Sequence, residues 1–473
     1  MTPKNFHKIL IDKFPHQPTV LQELTLKQLA EFIFSKEQHG LFLLKGFAGT
    51  GKTTIVGSLV NYLWHTKLKS VLLAPTGRAA KVITSYSKIQ ALTIHKKIYF
   101  PKKQSGGGVQ FVLAPNKHRN TLFIVDEASM IPDVPTDSKL FENGSLLDDL
   151  IYYVYSGYQC KLILIGDTAQ LPPVKLDLSP ALDAEKLEMH YNKSVMQIEL
   201  DEVMRQSESS GILHNATAIR EQIQTTYFET FQFSVDRFSD IHRLIDGHEI
   251  QEAIDHAYSQ CGKEETAIIV RSNKRANLYN QSIRERILFL DNEIAVGDFM
   301  MVVKNNYFWL KPNTEAGFIA NGDIIEILEL FSIKELYSFR FAEAKVQMVD
   351  YPNQAPFETV LLLNTVNAET PSLAYEDSNR LYQEVLKDYA KEKSKYRQFM
   401  GVKNNPFFNA LQVKFSYAIT CHKSQGGQWK TVFLEQPYLK DGINKEYMRW
   451  LYTAVTRSKE NLYLIGFTDD FFI

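Results

Sequence analysis

The sequence predicts an α/β protein of two doubly wound, parallel-sheet units, with a β-hairpin and a small β-barrel inserted into them. Short, mostly apolar runs at Leu41–Leu44, Ser70–Ala74, Thr121–Val125 and Lys161–Ile165 alternate with helix-period stretches, as buried parallel strands and their crossovers do. A second alternation begins at Thr266–Val270 and closes on Leu462–Ile465. From about Ile294 the texture changes to β-like runs, Phe299–Lys304, Phe318–Leu330, Lys345–Val349 and Thr359–Asn364, punctuated by Gly and Asn. At 473 residues the chain is too long for one core, so two to four domains are expected.

The first element anchors the rest. Leu41–Leu44 runs into Gly46-Phe47-Ala48-Gly49-Thr50-Gly51-Lys52-Thr53, and the helical pattern starting at Thr54 continues through Ile55, Leu59, Tyr62 and Leu63. Strand, glycine-rich loop and helix in that order form a phosphate-binding loop. Its glycines let successive backbone N–H groups curl around a phosphate at a helix N-terminus. Lys52 can reach β- and γ-phosphates, and the Thr53 hydroxyl can hold Mg²⁺. The backbone from Gly46 through Ala48, Gly49, Thr50, Gly51 and Thr54 is the expected cradle. Upstream, Leu24–Phe34 reads as an amphipathic helix introduced by Thr25, and its Gln28 offers an amide suited to the edge of adenine.

Ser70–Ala74 is the second strand and ends in Pro75-Thr76-Gly77-Arg78. Sites in such sheets lie at the carboxyl ends of the strands. Ala91–Phe100 follows. Gly106-Gly107-Gly108 then sits between two β-like runs, giving a hairpin over 98–119 flanked by Lys102, Lys103, Lys117 and Arg119. The alternative is an ordinary surface loop.

Thr121–Val125 delivers Asp126-Glu127, an acidic pair fitted to hold Mg²⁺ (Asp126) and to polarise an attacking water (Glu127). The fourth strand ends near Gln170, whose amide is placed to sense a γ-phosphate. Arg205, in Glu199–Gln206, is a candidate phosphate-reaching arginine. Arg457 lies before the last strand, where it would act from the far side of a cleft; its bland alternative is a surface salt bridge. Leu381–Phe399 reads as one charged helix packed on the barrel, and the second core resumes at Leu411.

Composition narrows the partners. Net charge is −1, yet the 88 residues from Gln38 to Val125 carry thirteen Lys/Arg and no Asp or Glu. A basic block of that length in a neutral protein suggests a phosphate-facing surface, against the alternative of a solvated basic face. The three cysteines, Cys160, Cys261 and Cys421, make no metal spacing and suit a reducing compartment. No leader is expected in Met1–Phe14, and no apolar run approaches the ~20 residues of a membrane span.

Taken together and in order, these stretches resemble the superfamily 1B helicases of the RecD/Dda type. LTLKQ resembles the adenine-recognising Q motif, GFAGTGKT motif I, LLAPTGRAAK motif Ia, ALTIHK motif Ib, VDEAS motif II and GDTAQLPPV motif III. DEVMRQ resembles motif IV, YAITCHKSQGGQW motif V and LYTAVTRSKENLYLIG motif VI. The resemblance spans Leu24–Gly466. It implies RecA-like domain 1A over 1–97 and 120–205, a 1B pin over 98–119, RecA-like domain 2A over 206–293 and 410–473, and an SH3-like 2B insertion over 294–409.

The resemblance also implies an ATP and Mg²⁺ site made by Gln28, Lys52, Thr53, Asp126, Glu127, Gln170, Arg205 and Arg457. Single-stranded DNA would touch Pro75, Thr76, Arg78, Thr93, His95, Thr420 and His422, with Phe308 or Trp309 as stacking candidates on the barrel. His95 and His422 have structural roles as their alternative. The implied activity is ATP-dependent unwinding of duplex or forked DNA with 5′→3′ translocation, by a monomer in the cytoplasm near the nucleoid. Two other readings stand beside it: a motor on RNA or nucleoprotein that does not unwind DNA, and a nucleotide-gated binding module without catalysis.

Overall fold

The computed structural model describes the chain except residues 104–108, 133–144, 203–208, 226–227, 229, 312–313, 315 and 441. In chain order the strands are β1 (Gly40–Gly46), β2 (Lys69–Ala74), β3 (Ala91–Thr93), β4 (Tyr99–Lys103), β5 (Val109–Leu113), β6 (Thr121–Val125), β7 (Lys161–Gly166), β8 (Ser194–Leu200) and β9 (Ile241–Leu244). They continue with β10 (Thr266–Val270), β11 (Phe299–Val302), β12 (Ile324–Leu336), β13 (Phe339–Met348), β14 (Phe357–Leu362), β15 (Leu411–Phe415), β16 (Ala418–Thr420), β17 (Trp429–Glu435) and β18 (Ser458–Ile465).

Two parallel sheets form the body. The first has the order β3-β2-β6-β7-β1-β8 and the second β16-β10-β17-β18-β9, with every pairing parallel. Strands β6, β7 and β10 are buried along their whole length, which is why they read as continuous apolar runs rather than alternating ones. In the first sheet β1 lies next to β7 and one strand from β6, so the phosphate loop, Asp126-Glu127 and the loop holding Gln170 leave the same edge. Among the described residues no helix is long and apolar enough to cross a membrane.

β4 and β5 pair antiparallel from Tyr99↔Leu113 to Lys103↔Val109; the tri-glycine stretch lies outside the described residues. β11–β15 close a five-stranded barrel. Two expectations are corrected here, the sheet that Leu411–Phe415 joins and the single charged helix. Leu411–Phe415 does not return to the second sheet but pairs with β11 and β14 and closes the barrel. β12 and β13 turn through Tyr337-Ser338, both at positive φ (55° and 61°), so the hairpin lacks the Asn-Gly signature that would have marked it. The charged helix is two, Tyr375–Asp388 and Lys395–Lys403, because Ser394 caps the second by accepting the Arg397 N–H.

Candidate nucleotide cleft and nucleic-acid surface

The phosphate loop is built from both sides. Gly51, at φ +86°, starts the helix Lys52–Tyr62 from a left-handed conformation that a side chain would strain. The Lys52 ammonium donates to the carbonyls of Gly46 (2.6 Å) and Phe47 (2.8 Å), which fixes it inside the loop's curve. From below, Gln22 Nε2 donates to Thr50 O at 3.0 Å. Gln22 is 1% exposed and belongs to a capping box with Thr19, the true start of the helix Val20–Phe34. The expected start at Thr25 was thus one turn and more too late: Thr25 lies inside the helix and its hydroxyl donates to Leu21 O. It is Gln22, then, that meets the phosphate loop. Gln28 lies six residues further along the helix, with its Oε1 buried and unpartnered.

At the end of β6, Asp126 Oδ1 accepts the Glu127 N–H (2.8 Å) and Oδ2 accepts the Tyr86 hydroxyl (3.0 Å). Glu127 sits at φ +53°, a strained backbone for glutamate of the kind that collects at working sites. Burial, with Asp126 and Asp167 adding to it, raises its carboxyl above the usual carboxylate range, against the opposing charges of Arg457 and Lys52. The glutamate therefore feels Lys52 from the first sheet and Arg457 from the second. Arg457 is 3% exposed, so it is no surface salt-bridge residue. Its guanidinium donates to Thr453 O, Gly427 O and Thr456 Oγ1.

The two halves are pinned at this point. The Tyr452 hydroxyl, on the helix Lys445–Val455, accepts the Ala48 N–H (2.8 Å) and donates to Asp167 Oδ2 (2.7 Å). Asp167 Oδ1 accepts the Ala169 N–H, shaping the turn that carries Gln170. Leu171 N–H donates to Thr453 Oγ1, and Gln425 Nε2 to Leu171 O. Gln170 is buried with an unpartnered Oε1. Arg220 adds a second buried cation, its guanidinium 4.6 Å over the Phe47 ring. Arg205 lies outside the described residues.

These residues fit a Mg²⁺-nucleotide. The loop is tight at Gly46, with Thr50 Oγ1 and Leu200 Cβ each 3.0 Å from where a Cβ would be, so a side chain there would have to push them aside. Beside it the Gln170 oxygen is buried without a partner. Thr53 and Asp126 are the residues that would hold the ion, together with its ligand's phosphates.

An AAA domain family matches residues 27–243 and a UvrD-like helicase C-terminal domain family matches 415–465, together more than half of the chain. The first match contains the phosphate loop and the acidic pair, the second Arg457. The chain is a superfamily 1B helicase of the RecD/Dda type, an ATP-hydrolysing DNA helicase. It is 24% identical to the ATP-dependent DNA helicase Dda of Enterobacteria phage T4, over 91% of this chain and 95% of that one. It is 24% identical to the RecBCD enzyme subunit RecD of Buchnera aphidicola, over 93% of this chain and 75% of that one. An uncharacterised protein of Acanthamoeba polyphaga mimivirus is 25% identical over 93% and 98%.

The helicase brings its candidate nucleic-acid residues together only in part. Gly426, at φ +72°, lets the second domain approach the helix Gly77–Ser87 so closely that a methyl group there would lie 2.9 Å from Ala79 Cβ. Thr76 and Arg78 therefore share one seam with Gly426, Gly427 and Trp429. Thr76 Oγ1 caps the helix through the Ala79 N–H, and Arg78 stacks 4.1 Å over Trp429. Pro75 is half-buried and His422 exposed. Thr93 and His95 stand apart, beside the hairpin base. Thr93 is buried and its hydroxyl caps the helix Ile94–Ile98 through the Lys96 N–H, so capping accounts for it. Burial holds His95 down at about 4, a neutral imidazole at physiological pH. Lys96 Nζ donates to Thr314 O in the barrel, tying the hairpin base to it. Trp309 Nε1 donates to Asn409 O, and Phe308 packs edge-on against its ring while 37% exposed.

Proposed function

We propose that this helicase translocates 5′→3′ on single-stranded DNA and separates duplex at forks, driven by hydrolysis of Mg²⁺-bound ATP in the cleft between its two parallel-sheet domains. The observation that carries the reading is the Tyr452 hydroxyl, which joins the helix leading to Arg457 to the Ala48 N–H of the phosphate loop and to Asp167. Bound there, Mg²⁺-ATP would supply the phosphoanhydride to be cleaved and a cation to neutralise its charge. The chain's own groups divide the remaining work. The loop backbone and Lys52 bind and orient phosphates, Thr53 and Asp126 would hold the ion, and Glu127 takes up a proton from an aligned water. Gln170 and Arg457 stabilise charge that develops on the transferred phosphoryl group, a task the resemblance also gives to Arg205.

Closure of the cleft moves one domain against the other, because Tyr452, Thr453 and Gln425 of the second domain grip the Ala48 and Asp167–Leu171 loops of the first. With DNA lying across Thr76 and Arg78 of one domain and Thr420 and His422 of the other, alternating grip would convert closure into a step. The β4–β5 hairpin would act as the separating pin. The protein is expected to work as a monomer in the cytoplasmic nucleoid.

Stimulation of ATP turnover by single-stranded DNA against RNA of equal length tests the substrate. A variant with the hairpin replaced by a short linker tests the pin. The proposal expects DNA to stimulate more, and the shortened variant to keep DNA-stimulated turnover while losing strand separation. Preferential stimulation by RNA, with unwinding unaffected by the shortening, would favour a remodelling translocase.

A further inference from the structure

The helix Gly77–Ser87 starts at the candidate DNA contacts and ends at the acid proposed to hold the metal. Its first turn carries Arg78, stacked on Trp429 of the second domain. Its middle carries Lys81, which pairs with the barrel's Asp350 at 3.6 Å and donates to Val349 O at 3.2 Å. Its last turn carries Tyr86, whose hydroxyl donates to Asp126 Oδ2 at 3.0 Å. The other oxygen of that carboxylate is held by the adjoining Glu127 N–H, so the Tyr86 bond is what fixes its rotation. The Tyr86 ring lies against Gly57 of the phosphate-loop helix, where an added methyl would sit 3.8 Å away. One stiff rod of eleven residues, roughly 16 Å long, thus touches the second domain, the barrel and the metal-holding acid.

We propose that Tyr86 is a positioning residue that couples the nucleic-acid end of this helix to the aim of the Asp126 carboxylate. It rests on the reading of Asp126 as metal holder and of Thr76 and Arg78 as DNA contacts. A strand seated on the first turn shifts or stiffens the helix, and the phenol hands that change to Asp126. Groups that orient metal-binding carboxylates in this way typically change metal affinity by about 10–100-fold when removed.

The experiment uses the full chain and binding rather than turnover. Fluorescent ADP is titrated with Mg²⁺, with and without an oligothymidylate, and the Mg²⁺ midpoint is read. The wild type is expected to show a midpoint lowered several-fold by the oligonucleotide. Tyr86→Phe raises the midpoint by about ten-fold or more and abolishes the oligonucleotide-dependent shift, while Ser85→Ala, an exposed neighbour, keeps both. A Tyr86→Phe midpoint equal to the wild type's, a shift that survives the substitution, or no shift in the wild type overturns the proposal. Asp126→Asn with an unchanged Mg²⁺ midpoint, or Arg78→Ala with unchanged oligonucleotide affinity, would bring down the underlying reading and the proposal with it. A Tyr86→Phe failure beside normal effects of those two variants overturns the coupling alone.

Discussion

Tyr452, near the end of the chain, accepts the backbone N–H of Ala48 in the phosphate loop at 2.8 Å and donates its own hydroxyl hydrogen bond to Asp167 Oδ2 at 2.7 Å. One hydroxyl thereby joins the loop that cradles phosphate, the strand end that carries Gln170 and the helix that leads to Arg457. Tyr452→Phe leaves a buried N–H and a buried carboxylate oxygen without this partner, an effect of about 1–3 kcal/mol for each such group. ATP turnover should fall about ten-fold or more, and thermal unfolding should move to lower temperature. Turnover and melting equal to the wild type would mean that the two domains do not close through this contact.

Lys52→Ala should abolish ATP hydrolysis while leaving affinity for single-stranded DNA within about two-fold, because the ammonium faces loop carbonyls and not the Thr76–Arg78 seam. Turnover by colorimetric phosphate release and oligonucleotide binding by anisotropy measure the two halves separately.

Arg457→Ala should slow hydrolysis by about 10³-fold or more while weakening nucleotide binding far less, as for other arginines that act on transition-state charge. Arg457→Lys should not restore the rate, since the guanidinium already spans three acceptors in a planar arrangement a lysine cannot copy. A loss confined to nucleotide affinity would contradict the finger role.

Asp323 in the barrel gives a pH dependence with a definite sign. Burial, with Asp350 adding to it and the Ala320 N–H opposing, pushes its carboxyl up to about 8. Lys81, Asp350 and Tyr351 stand around the same junction. The folded state keeps a proton that the unfolded chain releases near pH 4, so stability is fully present below that value and declines as pH rises towards about 8. Melting temperature followed from pH 5 to 9 should fall for the wild type and stay flatter for Asp323→Asn. Parallel curves would remove Asp323 as the source.

Much of this was legible in the sequence because it is local. Gly46 to Thr53, the apolar run before Asp126 and the strand before Gln170 carry their own geometry, and buried parallel strands announce themselves as unbroken apolar stretches. Gln22 was also visible in principle, since Thr19-x-x-Gln22 is a capping box. Thr25, five residues inside the helix, carries a competing start signal. Tyr86 and Tyr452 were not legible: each acts through a partner 40 or 404 residues away, and no spacing rule links them. Leu411–Phe415 had the pattern of a buried strand, but pattern alone does not say which sheet a strand joins. The Tyr337-Ser338 turn holds positive φ with residues that rarely signal it.

The central claim is that one cleft, formed by Lys52 on one side and Arg457 on the other, drives movement along a DNA strand. It is tested most directly by ATP-dependent strand separation of a forked duplex bearing either a 5′ or a 3′ single-stranded tail. The account predicts that the wild type unwinds the 5′-tailed substrate and that Lys52→Ala and Arg457→Ala unwind neither. Unwinding that persists in either variant would contradict the shared cleft, and a preference for the 3′ tail would contradict the direction.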